Sequence, residues 1–258
     1  MENNLYDTLV ERRRAGIKSY AVLIDPDKIE NISTCYSLIN MSVENKVDFF
    51  LVGGSLLTNL NLNKVVSLIK ENCNIPVILF PGSNMHINAS ADAILFLSLI
   101  SGRNPDLLIG QHVIAAPILK KSGLEILPTG YILIDGGNVS TVSYMSNTTP
   151  IPGEKYSVAT CTAMAGEMLG LKLIYLDAGS GAKTPISSKM ISSVKKSIDL
   201  PLIVGGGIDS VEKASQALTA GADLIIVGNA IESNPDLLLE LSSKIGEINR
   251  KLFKRESM

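Results

Sequence analysis

Tryptophan is absent from the 258 residues, aromatics make up only 5%, and there are two histidines and three cysteines. Scarce aromatics leave no stacking platform for exposed bases. A formal net charge of −2, from 23 Lys and Arg against 25 Asp and Glu, argues against a basic surface for nucleic acid as well. The cysteines, Cys35, Cys73 and Cys161, show neither CxxC spacing nor a pairing pattern and read as free thiols of a reducing compartment. His86 and His112 are too far apart in sequence to suggest a metal pair, and neither enters a Ser/His/Asp arrangement. His112, on an apolar helix, reads as a packing residue. No run reaches the roughly 18 apolar residues that a membrane-spanning helix needs. The opening stretch MENNLYDTLVERRRAG lacks the apolar core of a signal peptide. A cytoplasmic protein is expected, with peripheral membrane contact left open because a soluble enzyme can draw a lipid substrate from the interface.

What the chain does have is a succession of short, apolar, β-branched runs. Strands are expected at SYAVLID (19–25), VDFFLVG (47–53), PVILF (76–80), AILFLSL (93–99), GYILID (130–135), LKLIYLD (171–177), LPLIVGG (200–206) and ADLIIVG (222–228). Their near-continuous apolarity is what parallel strands covered on both faces require. Between them, 31–45, 61–72, 104–123 and 210–222 carry apolar residues at helical spacing. Eight such strands in a chain of this length predict one α/β domain over 1–258, a (β/α)8 TIM barrel. The third connection, PGSNMHINASAD (81–92), is too short for a full crossover helix, so the third barrel helix should be truncated or missing. The polar, Gly- and Pro-rich stretch 136–156 follows a strand's C-terminal end and reads as a lid.

Barrel active sites lie at the C-terminal ends of the strands, and the last two loops often bind phosphate. GGGIDS (205–210) follows the seventh strand, GNAI (228–231) the eighth, and AGSG (178–181) the sixth. Small residues let backbone N–H groups approach an anion closely, and Asn229 can donate from its side chain. At the first two strand tips, Asp25 and Ser55 are hard oxygen donors suited to Mg²⁺, although Asp25 in DPDK also fits a turn-capping role. Asp177, between strand six and its loop, is an acid where an anion is expected.

Taken in order and spacing, LIDPDK (23–28), VGGS (52–55), FPGS (80–83), SGRNPDLLIGQH (101–112), GYILIDGG (130–137), YLDAGSGA (175–182), VGGGI (204–208) and VGNAI (227–231) resemble the geranylgeranylglyceryl phosphate synthase family of prenyltransferases. The resemblance covers nearly the whole chain. It implies that sn-glycerol 1-phosphate is joined to geranylgeranyl diphosphate through an ether bond, with release of diphosphate, as a first step of ether-lipid synthesis. It implies Mg²⁺ near Asp25 and Ser55. It implies glycerol phosphate bound by Tyr175, Leu176, Asp177, Ala178, Gly179, Ser180 and Gly181, by Gly205 and Gly206, and by Gly228 and Asn229. A homo-oligomer is implied too.

Two departures stand out. Family members often carry Glu at the position of Asp177, and relatives that use a longer heptaprenyl donor tend to have Lys where this chain has Leu23. The sequence thus sits nearer the geranylgeranyl branch. In this chemistry Asp177 would act as general base for the attacking hydroxyl; orienting that hydroxyl, or only bracing the loop, are its alternatives. Phe80, Phe96, Leu97, Leu99 and Ile100 are candidates to line a prenyl groove, and Lys28 and Arg103 to meet diphosphate. Competing functions are the same reaction on a longer donor, an isomerase or aldolase on a phosphate-binding barrel, and a non-catalytic phospho-ligand barrel. A Schiff-base aldolase is disfavoured because Lys172 starts a strand and so lies at the wrong end.

Overall fold

A computed structural model describes residues 4–29, 31–59 and 61–256. Eight parallel strands close into a barrel in sequence order: β1 Ser19–Ile24, β2 Phe49–Gly54, β3 Val77–Pro81, β4 Ala93–Leu99, β5 Glu125–Leu133, β6 Leu173–Asp177, β7 Leu202–Gly205 and β8 Leu224–Val227. Among the described residues the helices are α1 Leu5–Arg14, α2 Ile32–Glu44, α3 Leu62–Asn72, α4 Gln111–Ser122, α5 Thr141–Ser146, α6 Tyr156–Met168, α7 Ser188–Lys195, α8 Val211–Ala220, α9 Asn229–Ser233 and α10 Leu237–Glu256. The expected (β/α)8 barrel is what forms. Between β3 and β4 the described residues hold only the 3-10 turn Asn84–His86, so the third barrel helix is missing, as the short connection required.

Strand alternation sorts the side chains into two cores. Phe49, Leu51, Ile78, Leu95, Leu127 and Ile203 fill the barrel, while Val22, Phe50, Val52, Leu79, Ile174 and Val204 face the helices. Helix α1 closes the N-terminal mouth, with Leu9 in the inner core. The Glu125 carboxylate accepts the N–H groups of Leu5 at 2.6 Å and Tyr6 at 2.8 Å, placing an anion where a helix N-terminus favours one.

The same mouth carries a repeated clamp. Asp48, Asp92 and Asp223 each directly precede an even-numbered strand. Each accepts an N–H from the strand before it: Tyr20 at 3.0 Å, Val77 at 2.8 Å and Leu202 at 2.8 Å. Each also pairs with a cation, respectively Arg12, Lys70 and Lys195. At the corresponding position before β6 stands Lys172, over the Tyr6 ring at 5.5 Å and at the end of the barrel away from the strand tips.

Two elements differ from the sequence reading. The segment expected as one helix over 104–123 begins as a π turn, Asp106–Gly110, and becomes α-helical only at Gln111. Strand β5 starts at Glu125, five residues before the expected 130. Pro128 is tolerated within the strand because β5–β6 pairing begins only at Thr129↔Leu173, so the missing N–H lies where that ladder has not begun.

Candidate active site

Strand β6 alternates so that Leu173, Tyr175 and Asp177 point into the barrel while Ile174 and Leu176 join the outer core. Tyr175 is buried beneath the loop after β7. A Cβ on Gly205 would sit 2.5 Å from its hydroxyl, so glycine there makes room for the ring. Gly206 has φ +81, and a Cβ on it would stand 2.7 Å from Asp177 Oδ1 and from the Ala178 nitrogen. Both the backbone conformation and the close approach demand glycine at 206.

Asp177, 6% exposed, is fully engaged. Its Oδ1 accepts the Gly179 N–H at 2.8 Å, and its Oδ2 accepts the Tyr131 hydroxyl at 2.5 Å. Burial raises its pKa above the ordinary carboxylate value, opposed by these two hydrogen bonds. Tyr131 and Tyr175 are held far above the usual phenol range, first by burial and then by the Asp177 charge. Their rings meet edge to face at 5.3 Å, and Phe80 lies 5.6 Å from Tyr175. Tyr131 was not among the sequence candidates.

Around Asp177 opens a polar cleft at the strand tips, lined by Asp25, Ser55, Tyr175, Gly179, Ser180, Gly181, Gly206, Gly228 and Asn229, together with Asp209. The structure thus brings together most of the expected site. Leu176 and Ala178 instead pack in the outer core, and Gly205 lies beneath the cleft against Tyr175. The Ala178 N–H is used by the Gly205 carbonyl at 3.1 Å. The N–H groups of Ser180, Gly181, Gly206 and Gly207 carry no hydrogen bond within the described residues, which leaves them for an anion. Asn229 Nδ2 donates to Ser180 Oγ at 3.2 Å, and Lys28 Nζ donates to Asn229 Oδ1.

At the other side of the cleft, Asp25 Oδ1 accepts the Asp27 N–H at 3.0 Å and caps the turn Pro26–Lys28. Its pKa is raised, chiefly by burial. Gly54 stands beside Asp25, where a Cβ would be in ordinary contact at 3.9 Å from the carboxyl, and Ser55 follows at once. No group of three or more His, Cys, Asp and Glu able to hold a metal occurs among the described residues. One carboxylate beside one hydroxyl nevertheless fits Mg²⁺, which completes its shell with water and substrate phosphate.

A second, apolar groove runs outward where the third barrel helix is missing. Phe80, Phe96, Leu97 and Leu99 line it with Ile87, Leu107 and Ala115; Ile100, also expected there, packs in the outer core. His112 lines it as well, its Nε2 at 3.1 Å from Ser98 Oγ and its ring edge-on to Phe96 at 4.5 Å. Burial lowers its pKa. His86 is buried beside the groove, and its Nδ1 accepts the Gly82 N–H at 3.2 Å. The Arg103 guanidinium donates to the Gly102 carbonyl at 2.8 Å and lines neither cavity.

The two cavities share Gly54, Ser55, Phe80 and Val142. Val142 comes from α5, inside the stretch expected as a lid. That stretch is anchored: the Gly136 carbonyl accepts N–H groups of Lys183 and Thr184 at 3.0 and 3.1 Å, and Asn138 Nδ2 donates to the Gly181 carbonyl at 3.3 Å. It therefore both contributes to the junction and braces the loop after β6.

The PcrB family profile matches residues 9–246. Geranylgeranylglyceryl phosphate synthase of Spirosoma linguale is 57% identical over 95% of this chain and 98% of its own length. That of Chitinophaga pinensis is 54% identical over 95% and 97%. Among solved structures, (S)-3-O-geranylgeranylglyceryl phosphate synthase of Thermoplasma acidophilum, in complex with sn-glycerol-1-phosphate, superposes with a TM-score of 0.89 at 30% identity, covering 95% of this chain and 99% of that one.

Proposed function

The chain belongs to the PcrB family, and from its site we propose that it transfers a geranylgeranyl group from the diphosphate to a hydroxyl of sn-glycerol 1-phosphate. One observation carries this reading: a polar cleft suited to a small phosphate and an apolar groove suited to a polyprenyl tail meet at Gly54, Ser55, Phe80 and Val142, with Asp177 beside the junction. An isomerase or aldolase would use the cleft but has no use for the groove.

The glycine loops hold the acceptor's phosphate through their N–H groups, which turns its glycerol end toward Asp177. The groove fixes the donor's tail so that its allylic carbon reaches the junction. The acceptor oxygen bonds to that carbon, the carbon–oxygen bond to diphosphate breaks, and the hydroxyl proton passes to Asp177 Oδ2. Tyr131, donating to that same oxygen, keeps the carboxylate ionised and oriented in a buried place. Asp25 and Ser55 would hold Mg²⁺ on the donor side, where the ion supplies neutralisation of charge on the departing diphosphate. Magnesium dependence, a homo-oligomeric state, a cytoplasmic location and peripheral membrane contact belong to the proposal; no helix among the described residues is long and apolar enough to cross a membrane.

The test is product formation. The protein with sn-glycerol 1-phosphate, geranylgeranyl diphosphate and Mg²⁺ should yield an ether-linked phosphoglycerol, identified by mass. Better turnover of a heptaprenyl donor would reassign the chain length; no product from any donor would overturn the reading.

A further inference from the structure

We propose that Lys28 is the cation of the phosphate end, its ammonium held across the barrel mouth by Asn229 so that it meets the acceptor's phosphate. The proposal rests on the functional reading above and adds a residue to it. The charged residues lining the polar cleft are Asp25, Asp177 and Asp209, with no Lys or Arg lining it among the described residues. Lys213 offsets Asp209 at 2.7 Å. Asp25 would face Mg²⁺ on the donor side, which leaves Asp177, and a phosphate dianion brought beside that carboxylate is repelled unless a cation stands within a few ångströms. Backbone N–H groups supply dipoles but no net charge. Leu23, directly beneath Gly228, supplies none either.

Lys28 is placed to fill that need. It ends the 3-10 turn that Asp25 caps after β1, and from there its Nζ reaches Asn229 Oδ1 at the tip of β8. With its oxygen so engaged, the Asn229 amide must turn its nitrogen toward Ser180 Oγ, at 3.2 Å. The relay Lys28–Asn229–Ser180 joins the loops after β1, β8 and β6. Two of these, with the loop after β7, carry the glycines and small residues expected to hold phosphate. From sequence Lys28 is a candidate to meet the donor's diphosphate, and Asp25 does feel its charge. The side-chain contact, however, is to the acceptor side.

Titration calorimetry with sn-glycerol 1-phosphate, and separately with inorganic phosphate, decides between the two. Lys28→Met should weaken the Kd for both by about 10- to 100-fold, the worth of a charged hydrogen bond. Lys28→Arg should recover most of the loss, while KM for the prenyl diphosphate and the thermal midpoint stay put. An unmoved Kd in Lys28→Met, or a change confined to the donor's KM, overturns the inference while wild-type turnover upholds the reading beneath it. A wild type that neither binds nor converts glycerol phosphate overturns both.

Discussion

The Tyr131 hydroxyl and the Asp177 carboxylate share a 2.5 Å hydrogen bond between neighbouring strands, at the end of the barrel where the polar cleft meets the apolar groove. Burial pushes the Asp177 pKa up, and this bond pulls it back. In the proposed mechanism the pair therefore sets the pH at which the site has a base.

Activity should accordingly fall on the acid side at a pH above the ordinary Asp value of 3.8, because the base must be ionised. Removing the hydroxyl takes away a bond that favours the ionised form, so Tyr131→Phe should move the acid limb of kcat to higher pH. Profiles of kcat at saturating substrates check this, since saturation removes the phosphate's own titration from view. A limb that stays in place would detach Tyr131 from the base.

Stability runs the opposite way. A carboxyl whose folded pKa is raised contributes stability that is complete below the unfolded pKa and is lost as pH rises through the folded one. At neutral pH Asp177 thus strains the fold, and Asp177→Asn should raise the thermal midpoint relative to wild type, with the gain vanishing in acid. Asn retains an Oδ1 for the Gly179 N–H, and its Nδ2 donates to the Tyr131 oxygen where the Oδ2 had accepted from it, so the charge is the main variable. A lower midpoint at neutral pH would mean that the carboxylate is a net structural asset.

Gly206→Ala should abolish glycerol phosphate binding while leaving the barrel folded. The methyl would stand 2.7 Å from the Asp177 carboxylate and the Ala178 nitrogen at a φ of +81, so the loop has to move. Calorimetry against circular dichroism separates loss of the site from loss of the fold.

Asp25→Ala should weaken binding of the prenyl diphosphate and its dependence on Mg²⁺, with the Kd for glycerol phosphate little changed. Turnover titrated with Mg²⁺ reads this directly. A variant with wild-type metal dependence would place the ion elsewhere.

At the closed end of the barrel, Asp223→Ala should destabilise the protein by about 3 kcal/mol, since it strands Lys195 and the Leu202 N–H in a buried place. The lysine pKa, lowered chiefly by burial and held up by Asp223, should fall further. Denaturant unfolding gives the stability, and KM values for both substrates should stay near wild type because the clamp is far from the strand tips.

Much of this architecture is written locally. Runs such as FFLVGG and LIIV are apolar on both faces, which only a covered parallel strand uses, and eleven residues between β3 and β4 leave no room for a helix. Glycines after β7 and β8 mark backbone that a ligand or a side chain must approach. The relationships that define the site are of another kind. Tyr131 and Asp177 lie 46 residues apart and meet only because Leu133 is in register with Asp177, which puts Tyr131 on the inward parity of the adjacent strand. Lys28 and Asn229 are 201 residues apart and touch only because β8 closes on β1. The acid before each clamped strand was visible as a letter, in VDFF, ADAI and ADLI, but its partners come from neighbouring strands and helices. Inward parity along the strand, shared with Leu133, is the signal in the sequence that marks Tyr131.

The central claim is that Asp177 takes the acceptor's proton at the junction of cleft and groove. Single-turnover transfer by Asp177→Asn, with glycerol phosphate prebound, tests it most directly. The rate should fall by about 10²–10⁴-fold while the Kd for glycerol phosphate holds. A rate equal to wild type would contradict the account.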